Sequence, residues 1–484
     1  MKGVKNGGAR KWVSTAWGRL KWPMLLTLVL LCLGAIVVVG MLPGLLSAPK
    51  PSPSAPPWQQ EPDRLSEANG VLPLDADAPV PVPAELSRLV NDALKPSGAG
   101  SITGIVMDAS TGTVLFDRDA NANRIPASNM KLLTAVAALK ALRPESRFTT
   151  RVLSGSDAST VVLTGGGDVL LGGGASDPAA VMGRAGLATL AADTAASLAT
   201  AGVKGPVTVQ VDDSLFSGAP LNPAWSLDDV AAGETAPLFS LALNSGRYSS
   251  AVTTGLRPQD SAVTTAQAFA EQLVAAGVQV SPGVERGRGV PAKVLAAAES
   301  ATVSEQVDLM LETSDNFLAE ALGRMTAIAS GQEATYDGAT SAVRQRLGEL
   351  GIATGSMQLA DVSGLALENQ VTARQFAEVV RAITSGPDLS LRTALDGFPV
   401  AGLTGTLDDR YVDPSTAQGA GLVRAKTGTL NTVIALSGYV VDADGRLLVF
   451  SFIGNGLEPG AAGNKEAMDR SASVLASCGC RQPG

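Results

Sequence analysis

Hydrophobic and polar positions divide the chain into segments of distinct kind. Residues 24–42, MLLTLVLLCLGAIVVVGML, run for 19 residues without a charge, enough to cross roughly 30 Å of hydrocarbon at about 1.5 Å per residue. From 47 to about 85 proline dominates (SAPKPSPSAPPWQQEPD, then APVPVP), which favours extended polyproline over a packed core and, at about 3.1 Å per residue, a reach of order 100 Å. The stretch SITGIVMDASTGTVLFDRDA then sets two apolar runs around Ser110-Thr111-Gly112 and predicts a β-hairpin. PASNMKLLTAVAALKAL, residues 126–142, predicts a helix apolar nearly all round, through Met130, Leu132, Leu133, Val136 and Leu139. Lys140, nine residues beyond Lys131, lies about 180° around that helix and can reach water, which leaves Lys131 in the desolvated first turn.

From 151 to 300 the pattern is one of short strands, glycine clusters and alanine-rich helices. In the helix TTAQAFAEQLVAAG, Thr264 and Gln267 suit a capping box and Gly277 a stop. Beyond 300 come helices at VSEQVDLMLE and FLAEALGRMTAIA. LVRAKTGTL, TVIALSGYVV and RLLVFSFIGN then predict three antiparallel strands, the last two joined by Asp442 to Gly445. No internal repeat of fixed period is present.

Charge orients the apolar run. Of 484 residues with net charge -8, the first 21 hold six cations (Lys2, Lys5, Arg10, Lys11, Arg19, Lys21) and no acid, so the rest carries -14. The basic flank places residues 1–23 in the cytoplasm, 24–46 as an anchor and the remainder outside the cell membrane. A cleaved signal peptide is the competing reading; its apolar core is usually shorter, and cleavage after Ala48 would put bulky Leu46 where a small residue is wanted. A body this acidic argues against nucleic acid. The three cysteines, Cys32, Cys478 and Cys480, form no C-x-x-C pair, and a bridge between positions two apart is expected to be strained. Histidine is absent altogether, which excludes a Ser-His-Asp triad, a Cys-His pair and a histidine-ligated zinc; lysine or a carboxylate must serve as base.

Ser128 and Lys131 are three apart at a helix start and share a face. Burial and the positive end of the helix dipole both lower the lysine's pKa, and a neutral amine beside a hydroxyl is a general base. Taken alone, Ser-x-x-Lys is a two-residue match expected about once or twice by chance in a chain of this length, and a serine there is an ordinary cap. Ser314, Asp315 and Asn316, at a break between two helices, would normally just cap the second, and Lys426 and Thr427 on a strand could be surface residues. All three stretches in this order match the signature of penicillin-binding proteins and class A β-lactamases.

With ASNMKLLTA, GGGDVLLGGG, ETSDNFLAE, ADVSGLALEN, LTGTLDDR and RAKTGTLNTVIALSGYV, the chain resembles the DacB-type D-alanyl-D-alanine carboxypeptidases and endopeptidases, the low-molecular-mass class C penicillin-binding proteins, over roughly residues 86–477. The 186 residues between Ser128 and Ser314 fit that type, which carries extra domains there. The resemblance implies an α+β fold: a penicillin-binding-protein/serine β-lactamase-like transpeptidase domain, an antiparallel sheet flanked by helices, from 86–150 and 301–484. Residues 151–300 would be inserted, and one transmembrane helix would precede the whole.

It further implies a serine D,D-peptidase acting on the D-Ala-D-Ala end, or the cross-link, of peptidoglycan stem peptides, without cofactor or metal and with β-lactams as covalent inhibitors. Ser128 would be the nucleophile and Lys131 the base. Ser314 would bridge the two lysines, and Asn316 would bind substrate backbone. Lys426 would stay cationic, facing the terminal carboxylate with Thr427 and Thr429 and lowering the pKa of Lys131. The Ser128 and Thr429 amides would form the oxyanion hole, and Gly428 would leave the strand approachable. Asp168 would contact the amino group of the third stem residue, although Val169 stands where the family commonly has proline. The glycines before Asp168 lack both the Walker lysine and the dinucleotide spacing, which excludes phosphate binding. Asp315 is expected to cap, Asp361 to support the site without taking part, and Glu368 to belong to that support. A β-lactamase or esterase of the same fold would need a deacylating glutamate at the acyl-serine; a silent wall-binding protein would be expected to have lost the nucleophile or a lysine.

Overall fold

The computed structural model describes residues 74–480 apart from Ala76 and Ala292. The expected basic tail, the anchor at 24–46 and most of the proline-rich spacer lie outside the described residues. Among the described residues no helix is long and apolar enough to cross a membrane.

The hairpin expected around Ser110–Gly112 is formed by β1 (Ser101–Asp108) and β2 (Val114–Arg118). The three C-terminal strands are β10 (Arg424–Leu430), β11 (Val433–Val441) and β12 (Leu447–Asn455). All five join in one antiparallel sheet of order β10-β11-β12-β1-β2. The pairing of β1 with β12, from Ser101 opposite Asn455 to Asp108 opposite Leu448, closes the sheet across most of the chain.

Strand alternation sorts its side chains into two cores. Ile105, Met107, Val449 and Ile453 face a layer of helices: α2 (Met130–Leu142), α6 (Val303–Thr313), α7 (Asn316–Ala329), α8 (Tyr336–Glu349) and α9 (Ala373–Ser385). Ile102, Val106, Leu448, Phe450 and Phe452 face the other way, onto α1 (Pro83–Ala93) and α10 (Lys465–Ser477). Helix α2 is the central one, buried at every position from Met130 to Leu139, as its all-round apolar pattern predicts; Lys140 is partly exposed and lies 3.5 Å from Asp388. A two-residue pair, β3 (Asn123–Arg124) with β9 (Val371–Thr372), fastens the segment leading into α2.

A second five-stranded sheet, of order β7-β6-β5-β4-β8, is built from β4 (Arg147–Ser154), β5 (Thr160–Thr164), β6 (Val207–Asp212), β7 (Val280–Arg286) and β8 (Val294–Thr302). Its β5–β6 and β6–β7 pairs are parallel, so helices α3 (Leu187–Thr200) and α5 (Ser261–Ala275) lie in the crossovers between them. Their Leu190, Leu198, Phe269 and Leu273 fill a separate core with Val161, Leu163 and Val209. The cap of α5 is Asp260, whose side chain accepts from the Val263 amide, and not Thr264, whose hydroxyl bonds back to the Asp260 carbonyl; Gly277 does stop the helix, at φ 88°. A one-turn helix, α4 (Leu227–Ala232), stands apart from this sheet. At the C-terminus Cys478 and Cys480 are joined by a disulfide.

Candidate active site

Ser128 stands on a tight turn that the backbone would not adopt unaided. Ala127, fully buried, has φ 47°, and residues Ala127–Asn129 form a 3-10 turn that runs into α2. Two glycines clasp this turn. A Cβ on Gly364 would lie 1.9 Å from the Ala127 carbonyl oxygen; one on Gly428 would lie 2.9 Å from the Pro126 oxygen and 3.2 Å from the Ser128 nitrogen. Gly428 therefore lets β10 press against the nucleophile's own turn, where the sequence reading has it opening the strand to substrate. Among the described residues the Ser128 amide donates to no backbone carbonyl.

One turn on, Lys131 is fully buried. Its Nζ lies 3.0 Å from Ser128 Oγ, 2.6 Å from Asn316 Oδ1 and 2.7 Å from the Ser363 carbonyl oxygen. The last two can only accept, so a neutral amine donating to both points its lone pair toward the Ser128 hydroxyl. Burial pushes the pKa of Lys131 down to about 8, against the pull of nearby carboxylates, Asp361 and Asp315 foremost. Lys426 on β10 is fully buried as well, and burial followed by the charge of Lys131 pushes its pKa well below the ordinary lysine value. The coupling between the two lysines runs opposite to the expected direction, the charge of Lys131 lowering the pKa of Lys426, and Lys426 Nζ donates to the Thr427 carbonyl at 2.9 Å.

The Ser-Asp-Asn stretch joins α6 to α7. Ser314 takes the left-handed conformation, φ 58°, and its hydroxyl bonds to neither lysine; Asn316 Oδ1 occupies the position expected for it on the Lys131 amine. The Asn316 Nδ2 donates to the Glu234 carbonyl at 3.0 Å, so this amide is engaged at both ends within the protein and positions the base before it can bind substrate. Asp315 caps α7 through the Leu318 amide and pairs with Arg247 at 2.8 Å. Burial opposes the Asp315 charge, but Arg247 and the Leu318 amide hold its pKa below the usual value.

A cleft of about 970 Å³ opens over Ser128, Asn316 and Thr429. Thr427 is nearly buried, its hydroxyl 2.7 Å from that of Thr406. The opposite wall, which sequence reasoning missed, comes from Trp225, Asp228, Asp229 and Glu234 on and beside α4, with Glu368. Trp225 is the only tryptophan after residue 58 and stands three residues before the acid pair Asp228-Asp229, and that was the available signal. Its Nε1 donates to Asp361 at 2.9 Å. Asp361 is buried and also accepts from the Gly364 and Ala366 amides and Asn369, as a supporting residue should. Glu368 is exposed on the cleft wall and not part of that support. Asp168 does not reach the cleft: it is buried where Met325 packs on Gly167, its carboxyl accepts from Leu170, and burial raises its pKa to about 7. The expected contact of Asp168 with substrate is corrected accordingly.

Comparisons with known proteins bear on the family and the fold. Carboxypeptidase DacB of Mycolicibacterium smegmatis is 35% identical over 432 residues, covering 88% of this chain and 90% of the relative. A D-alanyl-D-alanine carboxypeptidase of an Actinomadura species is 30% identical, covering 80% and 84%. The crystal structure of penicillin binding protein 4 (dacB) from Haemophilus influenzae aligns with TM-score 0.65 at 21% identity, over 80% of this chain and 99% of that one, and so shares the fold. With residues 85–257 and 249–477 also matching its family description, and both sheets and the serine–lysine turn inside those spans, the chain belongs to the D-Ala-D-Ala carboxypeptidase 3 (S13) family.

Proposed function

We propose that the protein is a serine D,D-peptidase that hydrolyses the D-Ala-D-Ala bond of peptidoglycan stem peptides, or the cross-link made from it, through an acyl-serine. The observation that carries this is the Lys131 amine, buried and 3.0 Å from Ser128 Oγ with its other two contacts on carbonyl oxygens. Ser128 Oγ attacks the carbonyl of the penultimate D-alanine while Lys131 takes its proton. The backbone amides of Ser128 and Thr429 receive the oxyanion, where preset donors meet charge that grows in the transition state. Lys131 or Ser314 returns the proton to the departing amine, and water then attacks the acyl ester.

The substrate's terminal carboxylate is met by Lys426, Thr427 and Thr429. A carboxylate beside Lys426 favours its ammonium form, and that charge in turn favours the free amine at Lys131, the base. Because β10 is the edge of its sheet, an extended peptide can pair along it. The acidic wall of Asp228, Asp229 and Glu234 favours a stem peptide whose third residue carries an amino group. No metal or cofactor enters this reading. β-Lactams acylate Ser128 in place of the peptide, and residues 24–46 tether the protein to the cytoplasmic membrane.

The test is mass spectrometry of a cross-linked muropeptide treated with wild type and with Ser128→Ala. Free D-alanine or separated monomers from the wild type alone support the assignment; an unchanged substrate in both sinks it. A β-lactamase is the second reading, favoured by Glu368 on the cleft wall; rapid turnover of penicillin, in place of a lasting acyl-enzyme, would establish it.

A further inference from the structure

Helix α7 carries three buried polar side chains at four-residue spacing, Asn316, Glu320 and Arg324. Asn316 touches the Lys131 amine, and Arg324 bonds to the Ser217, Ala219 and Ala334 carbonyls at the other end. Glu320 lies between them and does not line the cleft. Its Oε1 accepts from the Val362 amide at 3.0 Å and the Ser363 amide at 2.8 Å. The carbonyl of that same Ser363 accepts from Lys131 Nζ at 2.7 Å. Glu320 therefore grips the peptide unit on one side of Ser363 while the base is held by the other. Nothing in the sequence reading singles it out.

We propose that Glu320 is a positioning residue that acts as an uncharged acid, fixing the Ser363 carbonyl so that the Lys131 lone pair stays on Ser128. The inference rests on the D,D-peptidase reading for the identity of nucleophile and base. Two features require the acid to be neutral. Glu320 Oε2 is buried without a hydrogen bond of good geometry, and the one hydroxyl that acts on this carboxyl, that of Ser363, is likewise buried without a partner; an ionised carboxylate so poorly solvated is very costly, whereas a protonated one can donate to that hydroxyl. An anion there would also draw a proton onto Lys131 and disable it. The charged and titratable groups around Glu320 are Lys131 from α2, Asp361 from the loop after α8, Tyr336 from α8 and Arg324 from α7 itself. Burial, with Asp361 next, raises the Glu320 pKa to about 8, consistent with the neutral form.

The experiment measures the rate at which a fluorescent penicillin acylates the full-length protein as a function of pH, with thermal unfolding of each variant alongside. Glu320→Gln keeps the acceptor for both amides and cannot become an anion. It should acylate within about threefold of wild type at its optimum and leave the acidic limb of the profile where it is, because a neutral amide replaces a neutral acid; a limb moved to lower pH would show an anion at Glu320 in the wild type and overturn the inference. Glu320→Ala frees the Ser363 peptide and should slow acylation at least about tenfold, with a smaller change in penicillin affinity. If Glu320→Ala does not fold, the pH profile of Glu320→Gln decides alone: near-wild-type rate with an unmoved acidic limb is the signature of an uncharged acceptor, and a limb moved to lower pH overturns it. A folded Glu320→Ala that acylates at the wild-type rate overturns the inference alone. A folded wild type that penicillin does not label sinks the peptidase reading, and this inference with it.

Discussion

Lys131 has no carboxylate within hydrogen-bond distance of its Nζ; its contacts are two carbonyl-type oxygens and the nucleophile. That composition fixes the direction of its pH dependence. With the pKa lowered by burial from 10.5 to about 8, the amine is protonated below that value and free above it. Acylation of Ser128 by penicillin should therefore fall about tenfold per pH unit below the pKa, read as labelling rate from pH 6 to 9. The same shift has a stability consequence of known sign. Between about 8 and 10.5 the unfolded chain binds more protons at this site than the folded one, so the lysine's contribution to stability rises with pH across that window and is lost as pH falls through the folded value. A urea midpoint that drops between pH 8 and 10 in wild type relative to Lys131→Met would contradict it. The identity of the base was legible from Ser-x-x-Lys and the absence of histidine. Its anchoring by Asn316 and Ser363 was not, because those contacts join residues 185 and 232 apart in the chain.

At the level of elements, the nucleophile's turn is held between β10 and the loop that follows α8, and the two glycines that permit this differ in how much they can give. Gly364 has φ 88° and a Cβ there would lie 1.9 Å from a backbone oxygen; at Gly428 the closest atom is 2.9 Å away, with Ala127 Cβ at 3.1 Å. Gly428→Ala should therefore be tolerated at a cost of about 1–3 kcal/mol, by a small outward shift of β10. That shift moves Lys426 and Thr429 away from Ser128, so acylation slows more than stability falls. Gly364→Ala adds backbone strain to a clash with backbone and should cost more still. Chemical denaturation and penicillin labelling of the two variants check the order; equal effects, or a larger effect at Gly428, would contradict it. The β10 to β12 strands and the helices at VSEQVDLMLE and FLAEALGRMTAIA were legible because period-2 and period-3.6 patterns are local. The parallel pairs of the second sheet were not, since alternation along a strand does not say which strand lies beside it. The cap of α5 was misread for a related reason: Asp260 and Thr264 offer side-chain oxygens one turn apart, and only the backbone geometry selects between them.

Across the whole molecule, the segment from Trp225 to Arg257 leaves the inserted region and completes the cleft. It is fastened there by three contacts to the catalytic half: Trp225 to Asp361, the Glu234 carbonyl to Asn316, and Arg247 to Asp315. The last is a salt bridge with side chains 16% and 7% exposed, so removing one partner leaves the other charge largely buried and unpaired. Asp315→Ala loses the cap of α7 as well and should destabilise by about 3–5 kcal/mol. Arg247→Met keeps the cap and should cost less, and the double variant should cost less than the sum of the two, which a double-mutant cycle by urea unfolding measures directly. The functional signature differs from the stability one. Loosening the segment withdraws the acidic wall, so Arg247→Met should hydrolyse a stem peptide with a neutral third residue nearly as well as one carrying an amino group, while penicillin acylation of Ser128 stays within about threefold because Lys131 keeps its contacts with Asn316 Oδ1 and the Ser363 carbonyl. If discrimination between the two peptides is unchanged in a folded Arg247→Met variant, the segment is a structural cover and selectivity must reside on the β10 side of the cleft.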